Sequence, residues 1–217
     1  MNKNTADIRK DYIFDRSNNL SEKDILPDPV KQFEKWFGDA LALDEHEANA
    51  MFLATSAKDA KPSLRTVLLK GYDESGFIFF TNYSSRKGSE LEENPNASIL
   101  FFWKELGRQI RIEGTVTKVS REVSDAYFHS RPLDSQIAAL SSAQSNVIES
   151  REALDSKFSE LKEKYKDGKI PLPENWGGYR LIPERMEFWQ GRQNRLHDRI
   201  LYSKEKNGVW KINRLAP

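Results

Sequence analysis

Cationic side chains recur beside hydroxyls and amides along this chain: Arg65 and Lys70 in RTVLLK, Thr81 in FFTN, Arg86 and Lys87 in SSRK, Gln144 and Ser145 in SAQS. A phosphate monoester carries about −1.5 to −2 charges near neutrality and offers several strong acceptors, so such donors converging on one point are what it requires. Read as a helix start, Ser-Ser-Arg-Lys adds unpaired backbone N–H groups and the positive end of the helix dipole. A second set is Tyr127, Arg131 and Ser135 in DAYFHSRPLDSQ. Tyr127 and Arg131 share a helical face, and Ser135 follows the proline break, so one guanidinium and two hydroxyls could serve a second phosphate. Taken singly each piece is weak, because a basic residue at a strand end is commonly a solvated edge guard and a helix-end Tyr and Arg commonly pack or face water.

The stretch MEFWQGRQNRLHDR crowds Trp189, Arg192, Arg195, His197 and Arg199 together. If the chain beyond Gly191 is extended, Arg195, His197 and Arg199 alternate onto one side and Leu196, Asp198 and Ile200 onto the other. A helix would instead join Arg195 to Arg199 and turn His197 away; the hairpin-like DRILYSKEKNG that follows favours the strand. A charged edge strand with Trp189 in the core weighs equally with a binding site. Of the other histidines, His46 reads as a solvated helix end and His129 as structural. There is no dinucleotide-binding G-x-G-x-x-G after a strand, no Walker A loop, no G-x-S-x-G and no H-E-x-x-H. With three histidines and no cysteine, a transition-metal site is not expected.

Elements must hold these groups. The sequence has 217 residues, with Lys plus Arg 34 against Asp plus Glu 33 and a net charge of +1, so any basic chemistry is local and nucleic acid is not an expected partner. The absence of cysteine suits a reducing compartment, the N-terminus lacks the apolar core of a signal peptide, and no run reaches the ~18 apolar residues of a span. A cytoplasmic protein with no membrane association is expected. Residues 1–24 read as a mobile arm or lid and 25–217 as one domain. Asp28-Pro29 opens an amphipathic helix carrying Phe33, Trp36, Phe37, Ala40 and Leu41. From 50 to 119 short β-branched and aromatic runs separated by turn clusters predict an antiparallel meander, interrupted by a helix over SSRKGSELEEN. Residues 120–167 predict a helical insertion, with Leu154, Phe158, Leu161 and Tyr165 on one stripe and Gly168 as terminator. YRLIP, RMEFWQ, DRILYSKE and VWKINR return to strands. The class is mainly β with flanking helices, and a small closed or split barrel disposes best of so many edges.

The run E-F-W-Q-x-x-x-x-R-L-H-D-R, with RTVLLK, TNYSSRKGSELEENP, YFHSRPLDSQI, LPENWGGYRLIP and the terminal RLAP in the same order, resembles the pyridoxamine 5′-phosphate oxidase family. The resemblance covers residue 25 to the end; in the arm IRKDY fits, and the link after it is longer than usual. It implies an FMN-binding split β-barrel, a homodimer with two FMN molecules in clefts at the subunit interface, and oxidation of pyridoxamine or pyridoxine 5′-phosphate to pyridoxal 5′-phosphate. Molecular oxygen is the implied acceptor, with hydrogen peroxide formed and ammonia released from the amine. It implies that Arg65, Lys70, Phe80, Thr81, Arg86, Lys87, Gln109, Gln144, Ser145, Trp189 and Arg199 hold FMN. Lys70, Tyr127, Arg131 and Ser135 would hold the substrate phosphate, Arg195 and His197 would lie over the substrate ring as the catalytic pair, and Arg9 and Tyr12 would close over it. Phe80 stands where a tyrosine is common, which points to a backbone contact there. Arg65 and Lys70 are five apart, so a straight strand would send them to opposite faces. Two rivals are a split-barrel flavoprotein with another substrate and a single-strand nucleic-acid binder using sheet aromatics.

Overall fold

Residues 20–43 and 47–217 are described in the structure, a computed structural model. Arg9, Tyr12 and His46 lie outside the described residues, as does the arm up to residue 19. Helix α1 (Pro29–Ala42) starts as its sequence demands: Asp28 Oδ1 accepts from the N–H groups of Val30 at 2.7 Å and Lys31 at 3.1 Å, and Pro29 occupies the first turn. The helix buries Phe33, Trp36 and Ala40, but Leu41, expected on the same stripe, faces solvent.

Nine strands follow: β1 (Ala50–Ser56), β2 (Pro62–Leu68), β3 (Gly71–Asp73), β4 (Gly76–Asn82), β5 (Asn96–Trp103), β6 (Arg108–Lys118), β7 (Trp176–Gln190), β8 (Asp198–Lys204) and β9 (Trp210–Arg214). Helices α2 (Arg86–Glu93), α3 (Arg121–Ser130), α4 (Leu133–Ser141) and α5 (Arg151–Lys164), with a short 3-10 turn at Gln193–Arg195, are the other elements among the described residues. The strand order is β2-β1-β5-β6-β7-β4-β3, with β8 on β7 and β9 on β8. The expected simple meander over 50–119 is therefore broken. β4 pairs antiparallel with β7, from Phe77 opposite Leu181 to Asn82 opposite Trp176, and α2 carries the chain from β4 away to β5. YRLIP and RMEFWQ, read as two strands, are one. Pro183, which cannot donate, falls between the run paired with β4 and the run paired with β8.

Two compact units divide the chain. The first, from residues up to 51, 99–113 and 183–217, holds α1 and the β8–β9 hairpin around Phe33, Trp36, Phe101, Trp103, Phe188 and Tyr202. Phe33 lies 5.1 Å from Phe101 between ring centroids, and Trp36 meets Phe188 edge-on at 5.3 Å. Leu20 is buried in this unit, and Arg214 bonds both its carbonyl and the Glu22 carboxylate. The second unit, 52–98 and 114–182, holds β2, β3, β4 and α2 to α5, with a cluster of Phe128, Ile137, Ile170 and Trp176. Phe158, Leu161 and Tyr165 of the predicted stripe pack on that cluster, and Gly168 closes the turn at a φ of +78°. Among the described residues no helix is long and apolar enough to cross a membrane.

Candidate functional site

In the second unit a cleft of about 740 Å³ gathers most of the predicted cations. Arg65 comes from β2, Lys70 from just beyond its end, Phe80 and Thr81 from β4, Arg86 and Lys87 from the start of α2. Tyr127 and Arg131 come from the end of α3, and Gln144 and Ser145 from the loop after α4. Arg65 and Lys70 can share the cleft because β2 stops at Leu68: Lys70 no longer obeys strand alternation, and its N–H is taken by Ile78 O at 2.8 Å.

Glu90, which sequence reasoning did not select, organises the arginines. Its Oε2 accepts from Thr55 Oγ1 and Ser63 Oγ, each at 2.5 Å, and from Arg65 Nη2 at 3.2 Å, while Oε1 accepts from Arg86 Nε at 2.8 Å. Burial works to raise its pKa, but the hydrogen bonds from Ser63, Thr55, Arg86 and Arg65 outweigh it and hold the carboxyl at about 2. The i,i+4 spacing of Arg86 and Glu90 on α2 was the one visible signal of this pair. Arg65 also donates to Leu53 O, Thr55 Oγ1 and Ser63 Oγ, so both terminal nitrogens serve the protein, and Nε has no hydrogen-bond partner among the described residues. Arg86, anchored through Nε, turns its two terminal nitrogens toward no other partner among the described residues.

The start of α2 is built for close approach. Ser85 caps it by accepting from Gly88 N, and a Cβ at Gly88 would stand 2.0 Å from Tyr83 O, so only glycine fits. Lys87 Nζ donates to Thr81 Oγ1 at 3.0 Å, Gln144 Oε1 at 3.1 Å and Ser85 Oγ at 3.4 Å. Burial, followed by the Arg65 charge, lowers its pKa to about 8. Thr81 Oγ1 donates to Gln144 Oε1 at 2.9 Å, tying the loop to β4, and Ser145 takes a φ of +72°.

Across the cleft the rings of Tyr127 and Phe80 stack at 3.9 Å between centroids, and Phe80 stacks on Trp176 at 5.5 Å. Arg131 Cζ lies 5.0 Å from the Trp176 ring, its Nη2 donates to Ser135 O at 2.8 Å, and its Nη1 is buried without a partner. Burial lowers its pKa. Ser135 thus meets Arg131 through its carbonyl and does not line the cleft.

Gln109, Trp189, Arg195, His197 and Arg199 belong to the first unit. Gln109 sits on the half-exposed face of β6 with Arg111 and Glu113, as the alternation predicts. The expected strand through Arg195, His197 and Arg199 is not formed. Asn194 and Arg195 adopt φ of 57° and 60° within a short 3-10 turn over Gln193–Arg195, and β8 begins only at Asp198. Arg192 holds this turn by donating its backbone N–H to His197 Nδ1 at 3.0 Å and by an ion pair of its guanidinium Nε with Asp198 Oδ2 at 2.8 Å. His197 lies 4.6 Å from Trp189 between ring centroids, and burial together with the Arg195 charge lowers its pKa. Nδ1, in accepting from the Arg192 N–H, carries no proton in this arrangement. Arg199 donates from Nε and Nη2 to Glu187 at 2.8 and 3.1 Å and from Nη1 to Ala216 O at 2.8 Å. His129, as read, is structural: its ring nitrogens lie 3.0 Å from Asp125 O and 2.9 Å from Ile170 O.

Residues 39–165 match the family model described as pyridoxamine 5′-phosphate oxidase, and 176–217 match the pyridoxine 5′-phosphate oxidase C-terminal dimerisation region. The chain is 52% identical to the pyridoxine/pyridoxamine 5′-phosphate oxidase of Nostoc sp. strain PCC 7120 and 55% identical to that of Nostoc punctiforme, with 100% of both chains covered in each case. The solved structure of PhzG from Burkholderia lata 383, in complex with tetrahydrophenazine-1-carboxylic acid, matches with a TM-score of 0.87 at 32% identity, covering 95% of this chain and 99% of that one. A pyridoxamine 5′-phosphate oxidase-related, FMN-binding protein from Nostoc punctiforme matches with a TM-score of 0.69 at 18% identity, covering 85% and 97%, and shares the fold.

Proposed function

The chain belongs to the pyridoxamine 5′-phosphate oxidase family, and on that premise we propose how its own residues divide the work. It is an FMN-dependent oxidoreductase of split-barrel fold that converts pyridoxine or pyridoxamine 5′-phosphate to pyridoxal 5′-phosphate in vitamin B6 metabolism. The donor chemistry of the cleft fits FMN: Arg86, Lys87, Thr81 and Ser145 offer what a phosphate dianion needs, at the amino end of α2. The chemistry that FMN supplies when bound is two-electron acceptance from the substrate carbon and reoxidation by O2 to hydrogen peroxide.

Arg65, Lys70, Thr81, Arg86, Lys87, Gln144 and Ser145 then hold FMN with the backbone of Phe80, and Gln109, Trp189 and Arg199 complete its site. Arg65 serves mainly as a strut, because its terminal nitrogens are committed to Leu53, Thr55, Ser63 and Glu90. Lys70, Tyr127 and Arg131 grip the substrate phosphate, with Ser135 aiming Arg131 through its carbonyl. Arg195 and His197 orient the substrate ring and Arg9 and Tyr12 close over it. With its ring held by the Arg192 N–H at Nδ1, His197 orients the substrate amine or hydroxyl and so helps fix the carbon to be oxidised. The 176–217 segment is a dimerisation region, so the working unit is a dimer. We place two FMN sites at its interface and the protein in the cytoplasm.

The observation that carries the substrate assignment is the buried, unpartnered Nη1 of Arg131 in a cleft that already holds a second cationic cluster. Arg131→Ala removes charge-assisted hydrogen bonds of roughly 2–3 kcal/mol, so KM for pyridoxamine 5′-phosphate rises roughly 30- to 150-fold while the protein stays yellow. Loss of FMN in proportion to the loss of activity would contradict the division of roles.

A further inference from the structure

We infer that Trp176 and Phe80 are positioning residues for the substrate phosphate, a stacked aromatic shelf that fixes Arg131 and Tyr127 without lending them a counter-charge. The inference rests on the proposed role of Arg131 and Tyr127. The other two arginines of the cleft, Arg65 and Arg86, share the Glu90 carboxylate. Among the described residues no carboxylate pairs with Arg131. Its guanidinium is held by the Trp176 face at 5.0 Å, by Phe128 at 5.8 Å and by the Ser135 carbonyl at 2.8 Å. A ring face within about 6 Å restrains a cation through its quadrupole while leaving the full unit charge for a ligand, whereas a carboxylate would cancel most of it.

Tyr127 is placed by the same shelf. Trp176 and Phe80 are nearly parallel at 13°, Phe80 and Tyr127 at 21°, and Tyr127 and Trp176 at 10°. The ladder between β4 and β7 explains how the rings come to lie flat. Phe80 stands opposite Gly178, and a Cβ at Gly178 would come 2.8 Å from Phe80 Cε1 and 2.7 Å from Val119 Cγ2. The glycine thus leaves the ring room to lie over the strand, and Trp176, two residues earlier on the same face, extends the shelf to Arg131. The two anion sites of the cleft then differ in electrostatics. One has a built-in carboxylate and suits a resident phosphate; the other keeps an uncompensated charge and suits one that must be captured and released every turnover.

The test uses the FMN-loaded full chain and compares Trp176→Leu, Trp176→Phe and Arg131→Ala. KM and kcat for pyridoxamine 5′-phosphate, the calorimetric Kd of pyridoxal 5′-phosphate, and the FMN Kd from flavin fluorescence are measured for each. In Trp176→Leu we expect KM and the product Kd to rise together by about 5- to 10-fold, with kcat and FMN affinity within twofold of the parent. Trp176→Phe, which restores a ring face, recovers most of the loss. If Trp176→Leu does not fold, Phe80→Leu at the half-buried neighbour takes its place, with an expected rise of about threefold in KM through release of Tyr127. A lower melting temperature with unchanged KM and product Kd in whichever of these variants is measured overturns the shelf. An unchanged KM in Arg131→Ala overturns instead the functional assignment beneath it.

Discussion

Lys87 donates to Thr81, Gln144 and Ser85, and burial with the neighbouring Arg65 charge lowers its pKa to about 8. Two consequences have opposite sign. FMN affinity, which needs the charged ammonium, weakens as pH rises through 8. Stability of the protein without FMN rises between about 8 and 10.5, because there the unfolded chain binds the proton that the folded chain has given up. Flavin fluorescence titrations at pH 7 and 9.5 check the first: Lys87→Arg should flatten the pH dependence, and an equally steep one would refute Lys87 as its source. At His197, replacement by Asn removes the ring that orients the substrate and should lower kcat about 100-fold with FMN retained. A loss of stability with the rate per flavin-loaded molecule intact would instead mean a packing role beside Trp189. The basic and hydroxyl members of this site were legible in the sequence, because phosphate chemistry draws on few residue types. Glu90 and Trp176 were not: nothing local says which of many carboxylates is buried among donors, or which tryptophan offers its face to an arginine.

Helix α2 shows how an element sets the site. A Cβ on Gly88 would meet the Tyr83 carbonyl at 2.0 Å, backbone against backbone, with no flexible side chain to yield. Gly88→Ala should therefore cost about 3 kcal/mol or more and displace Arg86 and Lys87 from the cleft. Calorimetric melting and FMN stoichiometry measure both, and a variant as stable and as yellow as the parent would rule this out. At the end of α3, carbonyls of Ile170 and Asp125 raise the His129 pKa above its usual value. That contribution is fully present below about pH 6.5 and is lost as pH rises through the raised pKa. The melting temperature of the parent should accordingly fall faster across that window than that of His129→Gln. Most elements could be read from period and caps, as Asp28, Gly168 and the Ser84–Ser85 pair show, the structure choosing Ser85 of the two. The failures have physical causes. The strand through Arg195 was undone by left-handed Asn194 and Arg195, and the meander by pairing of β4 with the distant β7, a long-range choice that local pattern does not encode.

At the scale of the whole molecule, the proposed FMN ligands fall in both compact units, and the chain carries a dimerisation region at 176–217. If the FMN sites lie at the interface, binding and assembly are linked, and FMN should shift a dilute protein toward the dimer. Sedimentation with and without FMN reads this directly; a monomer with one tightly held FMN per chain would exclude interface sites. The near-zero net charge and the absence of cysteine narrowed the field, but the whole-molecule reading came from motif order along the chain, which composition cannot supply. With FMN bound, under air, pyridoxamine 5′-phosphate should yield pyridoxal 5′-phosphate and hydrogen peroxide in equal amounts, with the rate saturating in substrate. A protein that keeps its FMN and forms neither product from the amine or the alcohol phosphate would contradict the account.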